Sequence, residues 1–594
     1  MSLHKNTLEF LLYDVLKVQD LTARPQYTMH SRETFDAIFE VAQEIASKEL
    51  APHHRKSDLE EPHVVDGRVV TIPEIKRALT IMAEAGFFAA SAPESHGGLQ
   101  LPEVIYTATH AVFSASNPAT TSYMFLTVGA GNLIRSFGTP EQQVRYLTPM
   151  LEGRWFGTMA LSEPHAGSSL AEILTRATPL DDGSFRIIGS KMWISGGDHE
   201  LSENIVHMVL AKLPDAPPGV KGISLFIVPK KRITMRPDGS HGLESNDVAL
   251  AGLNHKLGAR GTTNALLSFG EGNDCRGELV GEAHKGLAYM FQMMNEARIS
   301  VGLGAASLAQ AGFEYSLNYA RERRQGRSLS PNQAGGSSHE PVRIIEHSDV
   351  KRMLLAQKSL AQGSLALCLY ASKLVDDERT HPDQNARAET HALLELLTPI
   401  VKAWSSHYGL EANYQAIQVL GGYGYTREYD AEMLYRDNRI NPIHEGTNGI
   451  QSLDLLGRKV AHADGSGLKI LAARILETSA RARNCGLESH ADSLEQALEV
   501  CEATTRALLA ASNPETMLAN SWHYLEMLGH TVIAWLWLEQ AVAVKTGSRS
   551  ESFVSGILAT CQYFYRFELP KVATWGALLS SLDTTTVTMR DDWF

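Results

Sequence analysis

Residues 440–451, INPIHEGTNGIQ, place a single carboxylate, Glu445, among apolar, amide and turn-forming residues. The pair His444-Glu445 begins the zinc-protease pattern HExxH, which needs a second histidine one helical turn after the first. That position is occupied by Asn448, so this segment does not form the zinc motif. Glu445 must therefore have a role that needs no zinc from this segment.

The composition is that of a globular protein and limits its partners. The chain has 594 residues, enough for roughly three or four domains, and a formal net charge of −13. Because an acidic chain repels phosphate backbones, we expect no nucleic acid partner. The five cysteines are scattered without CxxC or metal-ligand spacing, which predicts no metal site and a reducing compartment.

Neither the N-terminal segment nor the longest apolar run predicts an export signal or a membrane span. The N-terminal segment MSLHKNTLEFLLYDVL has acidic residues within its apolar part and no small-residue cleavage site, so it does not resemble a signal peptide. The longest apolar run, residues 531–538, is too short to cross a bilayer. We therefore expect a cytoplasmic protein without a membrane span.

Hydrophobic periodicity divides the chain into four segments. Helical spacing dominates the first segment, and short strands rich in β-branched and aromatic residues form the second. The third and fourth segments are again helical. The longest helices are expected at 298–323, 350–375 and 386–419, with a solvated polar loop at 328–343. The fold class is thus mainly α with a central β domain. The predicted domains are 1–155 (helical), 156–280 (β), 281–463 (helical bundle) and 464–594 (additional helices).

Two segments of the β region have residues suited to a flat or anionic ligand. In MALSEPHAGSSL, residues 159–170, small residues allow backbone N–H groups to approach a ligand, although a plain polar turn has the same composition. In KMWISGG, Trp193 and Ser195 lie on the same face of a strand. They suit a flat heterocycle, and a core tryptophan is the alternative.

Two further segments are cationic or glycine-rich. Residues 319–328, YARERRQGRS, carry four arginines at a predicted helix end, which suits either a diphosphate or the negative end of the helix dipole. In QVLGGYGYTREY, residues 418–429, glycines allow close backbone approach to a ligand. The GK[ST] of a P-loop and the GxSxG of serine hydrolases are both absent.

The order and spacing of these segments resemble the acyl-CoA dehydrogenases over residues 30–460. LSEPHAGSS is similar to the flavin segment TEPxAGSD of that family, and KMWIS to its KxWIT segment. QVLGGYGY and YRDNRINPIHEGTNGIQ are similar to its glycine-rich segment and its RDxRIxxIYEGTxxIQ signature. The resemblance implies an N-terminal helical domain, a β-barrel-like middle domain and a C-terminal four-helix bundle, here followed by a helical extension.

The resemblance implies FAD-dependent α,β-dehydrogenation of an acyl-CoA thioester to a trans-2-enoyl-CoA, with Glu445 as the catalytic base. A glutamate with an ordinary pKa of about 4.3 is a weak base, so enclosure must raise its pKa. The Glu445 N–H and the flavin ribityl 2′-hydroxyl would polarise the thioester carbonyl. Some relatives place the base directly before the arginine that Arg298 matches, but this chain has Ala297 there. Glu296 is expected to point elsewhere.

Other roles follow by position in the matching motifs. Substrate contacts are implied for Ser168, Asn295, Arg298 and Gly446. FAD contacts are implied for Met159, Leu161, Ser162, Gly167, Ser168, Trp193, Ser195, Arg323, Gln418, Gly421, Gly422 and Thr447, with Arg323 and residues 418–422 reaching the FAD of a neighbouring subunit.

Four residues depart from the family motifs. His444 replaces a common tyrosine, Ser169 an aspartate, and Gly449 and Ser348 glutamines. We expect His444 to change the shape of the acyl pocket or the pKa of the base.

The extension resembles those of very-long-chain and 3-methylthiopropionyl-CoA dehydrogenases, which implies a homodimer. Residues 465–594 carry 10 Lys and Arg against 14 Asp and Glu, a balance unsuited to anionic lipid. It also argues against a DNA-associated alkylation-response flavoprotein, which has a basic C-terminal domain.

The expected reaction is oxidation of straight-chain fatty acyl-CoA in β-oxidation, with an electron-transfer flavoprotein as acceptor. A 3-methylthiopropionyl-CoA dehydrogenase and an acyl-CoA oxidase remain alternatives, and the sequence leaves acyl length and branching open.

Overall fold

The structure is a computed structural model that describes residues 5–235, 241–327, 340–462 and 465–594. Its contacts divide the chain into two units. Unit 1 comprises Met1–Phe35, Pro102–Ala111 and Arg298–Phe594, and unit 2 comprises Asp36–Leu101 and Val112–Ala297. Most of the predicted polar loop at 328–343 lies outside the described residues. The division into four sequence domains stays a prediction.

Unit 2 contains the β region. The strands within the described residues are β1 His63–Val65, β2 Arg68–Val70, β3 Trp155–Ala160, β4 Arg176–Pro179, β5 Phe185–Ser195, β6 Asn204–Lys212, β7 Ile223–Pro229, β8 Lys231–Met235, β9 His241–Ser245, β10 Val248–Leu253, β11 Asn264–Phe269 and β12 Arg276–Leu279. Eight of them form one sheet in the order β10-β11-β5-β12-β7-β6-β3, with β4 beside β5 and β6. β3 and β4 pair with β6 in parallel, and the other pairs of this sheet are antiparallel.

The middle of this sheet is covered on both faces. Every residue of β7 and all but the last of β6 are buried, which explains their nearly continuous apolar sequences. Helix Pro118–Phe137 packs against β3, and its Leu133 and Ile134 share a core with Met208 and Leu210 of β6. This core gives the loops at the strand ends a rigid support. The other helices of unit 2 are His54–Leu59, Pro73–Glu84, Pro140–Gln142 and Thr148–Leu151.

The predicted fold class is confirmed: long helices precede and follow the β region. The three predicted long helices are present as Gly286–Glu322, Ser348–Thr380 and Gln384–Leu420. The first begins earlier than predicted, because residues 287–297 contain no glycine or proline to interrupt it. Helices Arg32–Ile45 and Glu103–Ser116 lie in the N-terminal part.

Unit 1 includes the C-terminal helices of the chain. The remaining helices are Lys5–Glu9, Ala431–Asn438, Asn448–Asp454, Ser466–Arg483, Glu488–Leu509, Pro514–Leu518, Ser521–Thr546, Glu551–Tyr563, Lys571–Ser580 and Thr585–Thr588. Within the described residues, Ser521–Thr546 alone is long and apolar enough to span a membrane. Its most apolar window is 89% buried inside the protein, as in a core helix.

Candidate active site

Glu445 lies in a tight loop between helices Ala431–Asn438 and Asn448–Asp454. The N–H groups of Ile443 and His444 both donate to the Ile440 carbonyl, at 2.8 and 3.1 Å. Glu445 has φ +52°, in the left-handed region that residues with a side chain seldom adopt. Such strain persists where the surroundings fix it, and it is concentrated at functional sites.

Two side chains fix this loop from inside unit 1. Lys402, fully buried on helix Gln384–Leu420, donates from Nζ to the Gly446 carbonyl at 2.6 Å. Gln451 donates from Nε2 to the Glu445 carbonyl at 3.1 Å. Gly446 has φ +85°, and a Cβ there would lie 2.6 Å from Gln451 Nε2. The loop therefore needs glycine at this position.

Sequence reasoning assigned no role to Lys402 or Gln451. The available signal for Lys402 was a single lysine in the run LLTPIVKAW, residues 396–404, where a buried helix face carries no other charge. A lone cation in such a run is rarely buried without a purpose, because desolvating an ammonium is costly. Its partner, a backbone carbonyl far along the chain, carries no sequence signal.

The electrostatics of the loop are those of a general base. Burial raises the pKa of Glu445, although the positive charges of Lys402 and Arg298 oppose the rise. Burial lowers the pKa of Lys402 to about 7. The Glu445 side chain is half-buried, so it is still accessible to a reactant. A raised carboxylate pKa is the direction that proton abstraction at neutral pH requires.

Arg298 is buried and ion-paired. Its Nη1 lies 2.7 Å from Asp454 Oδ2, and only 4% of the residue is exposed. Its action on Glu445 in this structure is electrostatic, and a direct substrate contact stays a prediction. Ala297 is buried, and Glu296 accepts a hydrogen bond from Asn132 Nδ2 at 3.4 Å, as expected of a structural glutamate. The side chain of Asn295 lies outside the described residues.

The structure brings the segments 159–170 and 191–197 together in unit 2. Lys191, fully buried on β5, donates from Nζ to the Leu161 carbonyl and to Glu163 Oε1, both at 2.9 Å. The backbones of Glu163 and Ala166 exchange hydrogen bonds of 2.9 and 3.0 Å, which closes the turn. The Met192 N–H donates to the Ser162 carbonyl at 3.0 Å.

Trp193 is not a core tryptophan. The register between β5 and β11 shifts between the pairs Leu267–Lys191 and Ala265–Ile194, and this β-bulge contains Trp193. Trp193 has φ +67° and is 59% exposed. A bulky residue held in the left-handed region with its indole exposed indicates a ligand surface.

The other residues predicted for this site surround the same turn. Gly167 and Ser168 are exposed, and a Cβ added to Gly167 would meet no atom within 4 Å. Ser195 Oγ accepts a hydrogen bond from Asn264 Nδ2 at 3.2 Å. The remaining residues of this group are half-buried: Met159, Leu161 and Ser162. Open backbone and an exposed indole are thus adjacent within unit 2.

A second predicted cofactor cluster forms within unit 1. Residues Gly421–Tyr425 make a single helical turn, and the Arg323 guanidinium lies 5.5 Å from the centre of the Tyr423 ring. Gln418, Gly421 and Gly422 are exposed beside it. Thr447 instead caps helix Asn448–Asp454, because its hydroxyl accepts the Ile450 N–H at 3.4 Å.

Family models match nearly the whole chain. Those described as the N-terminal, middle and C-terminal domains of acyl-CoA dehydrogenase match residues 32–154, 158–269 and 284–460. The model described as "Acetyl-CoA dehydrogenase C-terminal like" matches residues 471–590. The chain belongs to the acyl-CoA dehydrogenase family. The predicted resemblance and the oxidoreductase class are thereby confirmed.

Relatives of full length are similar throughout. A 3-methylmercaptopropionyl-CoA dehydrogenase of Ruegeria pomeroyi is 36% identical over 87% of this chain and 87% of its own. The broad-specificity linear acyl-CoA dehydrogenase FadE5 of Mycobacterium tuberculosis is 32% identical, covering 97% and 96%. An acyl-CoA dehydrogenase of Bacillus anthracis solved with FAD shares the fold, with a TM-score of 0.74, 20% identity and coverage of 98% and 95%.

FAD is the cofactor of the acyl-CoA dehydrogenase family, and the residues present fit it. The strained, exposed Trp193 and the open space at Gly167 suit a flat ring system approached by backbone. The turn from Leu161 to Ser168 with Trp193 would hold the flavin of one FAD. Arg323 with residues 418–422 would hold the diphosphate and adenosine end of a neighbouring subunit's FAD. Bound FAD supplies the acceptor for the hydride that leaves the β-carbon of the acyl group.

The loop of the dehydrogenase has the groups that the predicted proton transfer needs. The predicted role of Glu445 is to remove the α-proton of the thioester, and its raised pKa would make the carboxylate a stronger acceptor. Within the described residues, the Glu445 N–H has no hydrogen-bond acceptor, so it is free to donate to the thioester carbonyl and stabilise the developing negative charge. Lys402 and Gln451 hold the backbone of Glu445 and Gly446 in place through bonds to their carbonyls.

Proposed function

We propose that this acyl-CoA dehydrogenase oxidises straight-chain fatty acyl-CoA thioesters in β-oxidation and passes the electrons to an electron-transfer flavoprotein. The carrying observation is the Glu445 loop, with its raised carboxylate pKa and its unpaired N–H. The similarity to a broad-specificity linear acyl-CoA dehydrogenase over 97% of the chain supports the linear substrate class.

A chain-length series tests the substrate class. Ferrocenium-coupled rates are measured with butyryl-, hexanoyl-, octanoyl- and palmitoyl-CoA, and we expect kcat/KM to peak within this series. Branched or aromatic acyl-CoA at higher kcat/KM than every straight-chain member would contradict the proposal.

One other substrate has specific support. The 36% identity to a 3-methylmercaptopropionyl-CoA dehydrogenase supports 3-methylthiopropionyl-CoA as a second candidate substrate. The discriminating measurement is its kcat/KM relative to butyryl- and hexanoyl-CoA in the same assay. If kcat/KM for 3-methylthiopropionyl-CoA is more than about ten times that for butyryl- and hexanoyl-CoA, the thioether compound is the preferred substrate.

The base is tested by Glu445→Gln, which keeps the volume of the side chain and removes its charge. Anaerobic addition of substrate should bleach the bound flavin of the wild type, whereas the variant retains yellow FAD and loses about a thousandfold in bleaching rate. Glu296→Gln is the matched control, because Glu296 is a glutamate bonded to Asn132 and is not the predicted base. Bleaching of Glu445→Gln at the wild-type rate would place the base elsewhere.

The acceptor, assembly and location are part of the same proposal. Peroxide formation in air at the rate seen with electron-transfer flavoprotein would instead indicate an oxidase.

For the assembly, we expect a sedimentation mass of two chains, and a mass of four chains would contradict the homodimer. Helix Ser521–Thr546 is buried as a core helix, which supports an enzyme without a membrane span. We expect it in the cytoplasm, because its scattered cysteines suit a reducing compartment.

A further inference from the structure

Three buried asparagines connect the backbone of helix Gly286–Glu322 to the residue before the catalytic base. The hydrogen bonds run from Asn413 Nδ2 to the Leu308 carbonyl (2.9 Å), from Asn438 Nδ2 to Asn413 Oδ1 (2.6 Å), and from Asn441 Nδ2 to Asn438 Oδ1 (2.9 Å). At the end of this chain, His444 Nε2 lies 3.1 Å from Asn441 Oδ1. Asn413 and Asn438 are fully buried and Asn441 is 6% exposed.

Two backbone carbonyls fix the direction of every bond in this chain. A carbonyl oxygen can only accept, so the end of Asn413 that meets Leu308 must be its NH₂ group. Asn438 meets the Ala305 carbonyl at 3.2 Å, so its NH₂ group also lies on that side. The oxygen of Asn438 is then left to accept from Asn441, and the oxygen of Asn441 faces the imidazole.

The direction of the chain selects the tautomer of His444. Because Asn441 presents an oxygen, Nε2 of the ring must carry the proton and donate it. In the neutral ring Nδ1 is then a lone-pair acceptor. No group in the described part of the chain donates to Nδ1. More than a third of the residue is exposed, and His444 directly precedes Glu445 in the chain.

The surroundings keep the ring neutral. Burial, together with the positive charge of Lys402, lowers the pKa of His444 to about 3. Protonation would put a donor at both nitrogens, and the nearby ammonium disfavours it.

We propose that His444 Nδ1 accepts a hydrogen bond from the acyl group of the substrate, and that the enzyme therefore favours acyl-CoA thioesters with a hydroxyl or other hydrogen-bond donor beyond the β-carbon. The inference rests on the proposed acyl-CoA function. The donor must lie at C4 or further, because the reaction removes hydrogen from the α- and β-carbons. A hydrocarbon or thioether tail leaves this acceptor unpaired.

The test uses matched acyl groups on the FAD-loaded enzyme. Hexanoyl-CoA is compared with its 4-, 5- and 6-hydroxy derivatives and with the corresponding methoxy derivatives, which accept hydrogen bonds but cannot donate them. The readout is the ratio of kcat/KM between each hydroxy compound and its methoxy partner. For at least one position we expect a wild-type ratio between about three and ten, the range of one net hydrogen bond.

Two variants separate the hydrogen bond from pocket shape. His444→Phe keeps an aromatic ring and removes the acceptor, and Asn441→Leu removes the oxygen that selects the tautomer. The hydroxy-to-methoxy ratio should fall to about one in His444→Phe and should also fall in Asn441→Leu. His444→Phe leaves the three asparagines intact, so it decides the question if Asn441→Leu fails to fold.

The outcomes distinguish this inference from the proposed function. If the wild type oxidises hexanoyl-CoA but no hydroxy compound exceeds its methoxy partner, the inference is wrong and the function stands. A ratio retained in His444→Phe also overturns the inference. If the wild type oxidises neither hexanoyl-, butyryl- nor 3-methylthiopropionyl-CoA, the proposed function fails and the inference with it.

Discussion

Two loops of this enzyme are each held by a fully buried lysine, but the two lysines differ in whether a carboxylate forms an ion pair with them. In unit 2, Lys191 bonds to the Leu161 carbonyl and forms an ion pair with Glu163. In unit 1, Lys402 bonds to the Gly446 carbonyl, and no carboxylate of the described residues forms an ion pair with it. Both loops carry a residue in the left-handed region, Trp193 beside the first and Glu445 within the second.

The difference follows from what each loop must do. Glu163 is completely satisfied, since it also accepts the Leu174 N–H at 2.7 Å and the Thr175 hydroxyl at 2.6 Å. Burial opposes its ionisation, but Lys191 and these donors still lower its pKa. In the other loop an ion pair would lock the catalytic carboxylate, whereas a lysine bonded to a carbonyl holds the backbone and leaves Glu445 able to titrate.

The largest effect on stability is expected from breaking the ion pair between Lys191 and Glu163. Lys191→Met leaves the Glu163 carboxylate, 2% exposed, buried without its counter-ion. We expect a loss of about 3–5 kcal/mol in the free energy of unfolding and loss of bound FAD. Denaturant unfolding and the flavin absorbance measure both.

The matched control is Lys212→Met, because Lys212 bonds to the Ala171 carbonyl without a carboxylate. The double variant Lys191→Met/Glu163→Gln should recover part of the lost stability, since the buried charge is removed. A Lys191→Met variant no less stable than Lys212→Met would contradict the claim that Glu163 needs Lys191 as its counter-ion.

A smaller effect on stability depends on pH. The pKa of Lys402 is about 7 when folded, below its ordinary value of about 10.5, so above pH 7 the unfolded chain binds more protons. The wild type should therefore gain about 2.6 kcal/mol in the free energy of unfolding relative to Lys402→Met as the pH rises from 6 to 9. Urea unfolding of both proteins at three pH values measures the difference. A difference that stays constant with pH would mean that Lys402 is charged throughout.

Lys402→Met should also change the activity. Loss of the ammonium removes a charge that lowers the pKa of Glu445 and a donor to the Gly446 carbonyl. We expect kcat at pH 7 to fall about tenfold and the rising limb of the pH–kcat profile to move to higher pH. Lys358→Met is the control, because Lys358 is another desolvated lysine bonded to a carbonyl, that of Gly556. An equal effect of both variants would reduce Lys402 to a structural role.

The smallest difference is expected between two glycines. Gly446→Ala forces φ +85° on alanine and a Cβ against Gln451, so it should cost about 1–2 kcal/mol of stability. Gly167→Ala meets open space, and its stability change should stay within about 0.5 kcal/mol. Thermal unfolding of both variants checks the order. The reverse order would show that the flavin loop, not the catalytic loop, is the strained one.

Much of this protein could be predicted from local sequence. The long helices, the strands and the glycine-rich turn depend on periodicity and turn residues within a few positions, and their existence was correct although the start of helix Gly286–Glu322 was not. The four segments with unusual residue combinations could likewise be recognised from the sequence alone. Two of them, 159–170 and 191–197, contact each other in unit 2.

The sequence by itself determined the family, and it predicted the catalytic carboxylate and the residues that contact the cofactor, because all of these are encoded in short contiguous motifs. Only the tertiary structure decided what surrounds them: the lysine behind Gly446, the bulge that turns Trp193 outward, and the asparagines that orient His444. Apart from the local bonds among Asn438, Asn441 and His444, these contacts join residues far apart in the chain. Some of them end on backbone carbonyls, which every residue possesses. Side-chain type therefore carries no record of them, and folding alone brings the partners within bonding distance.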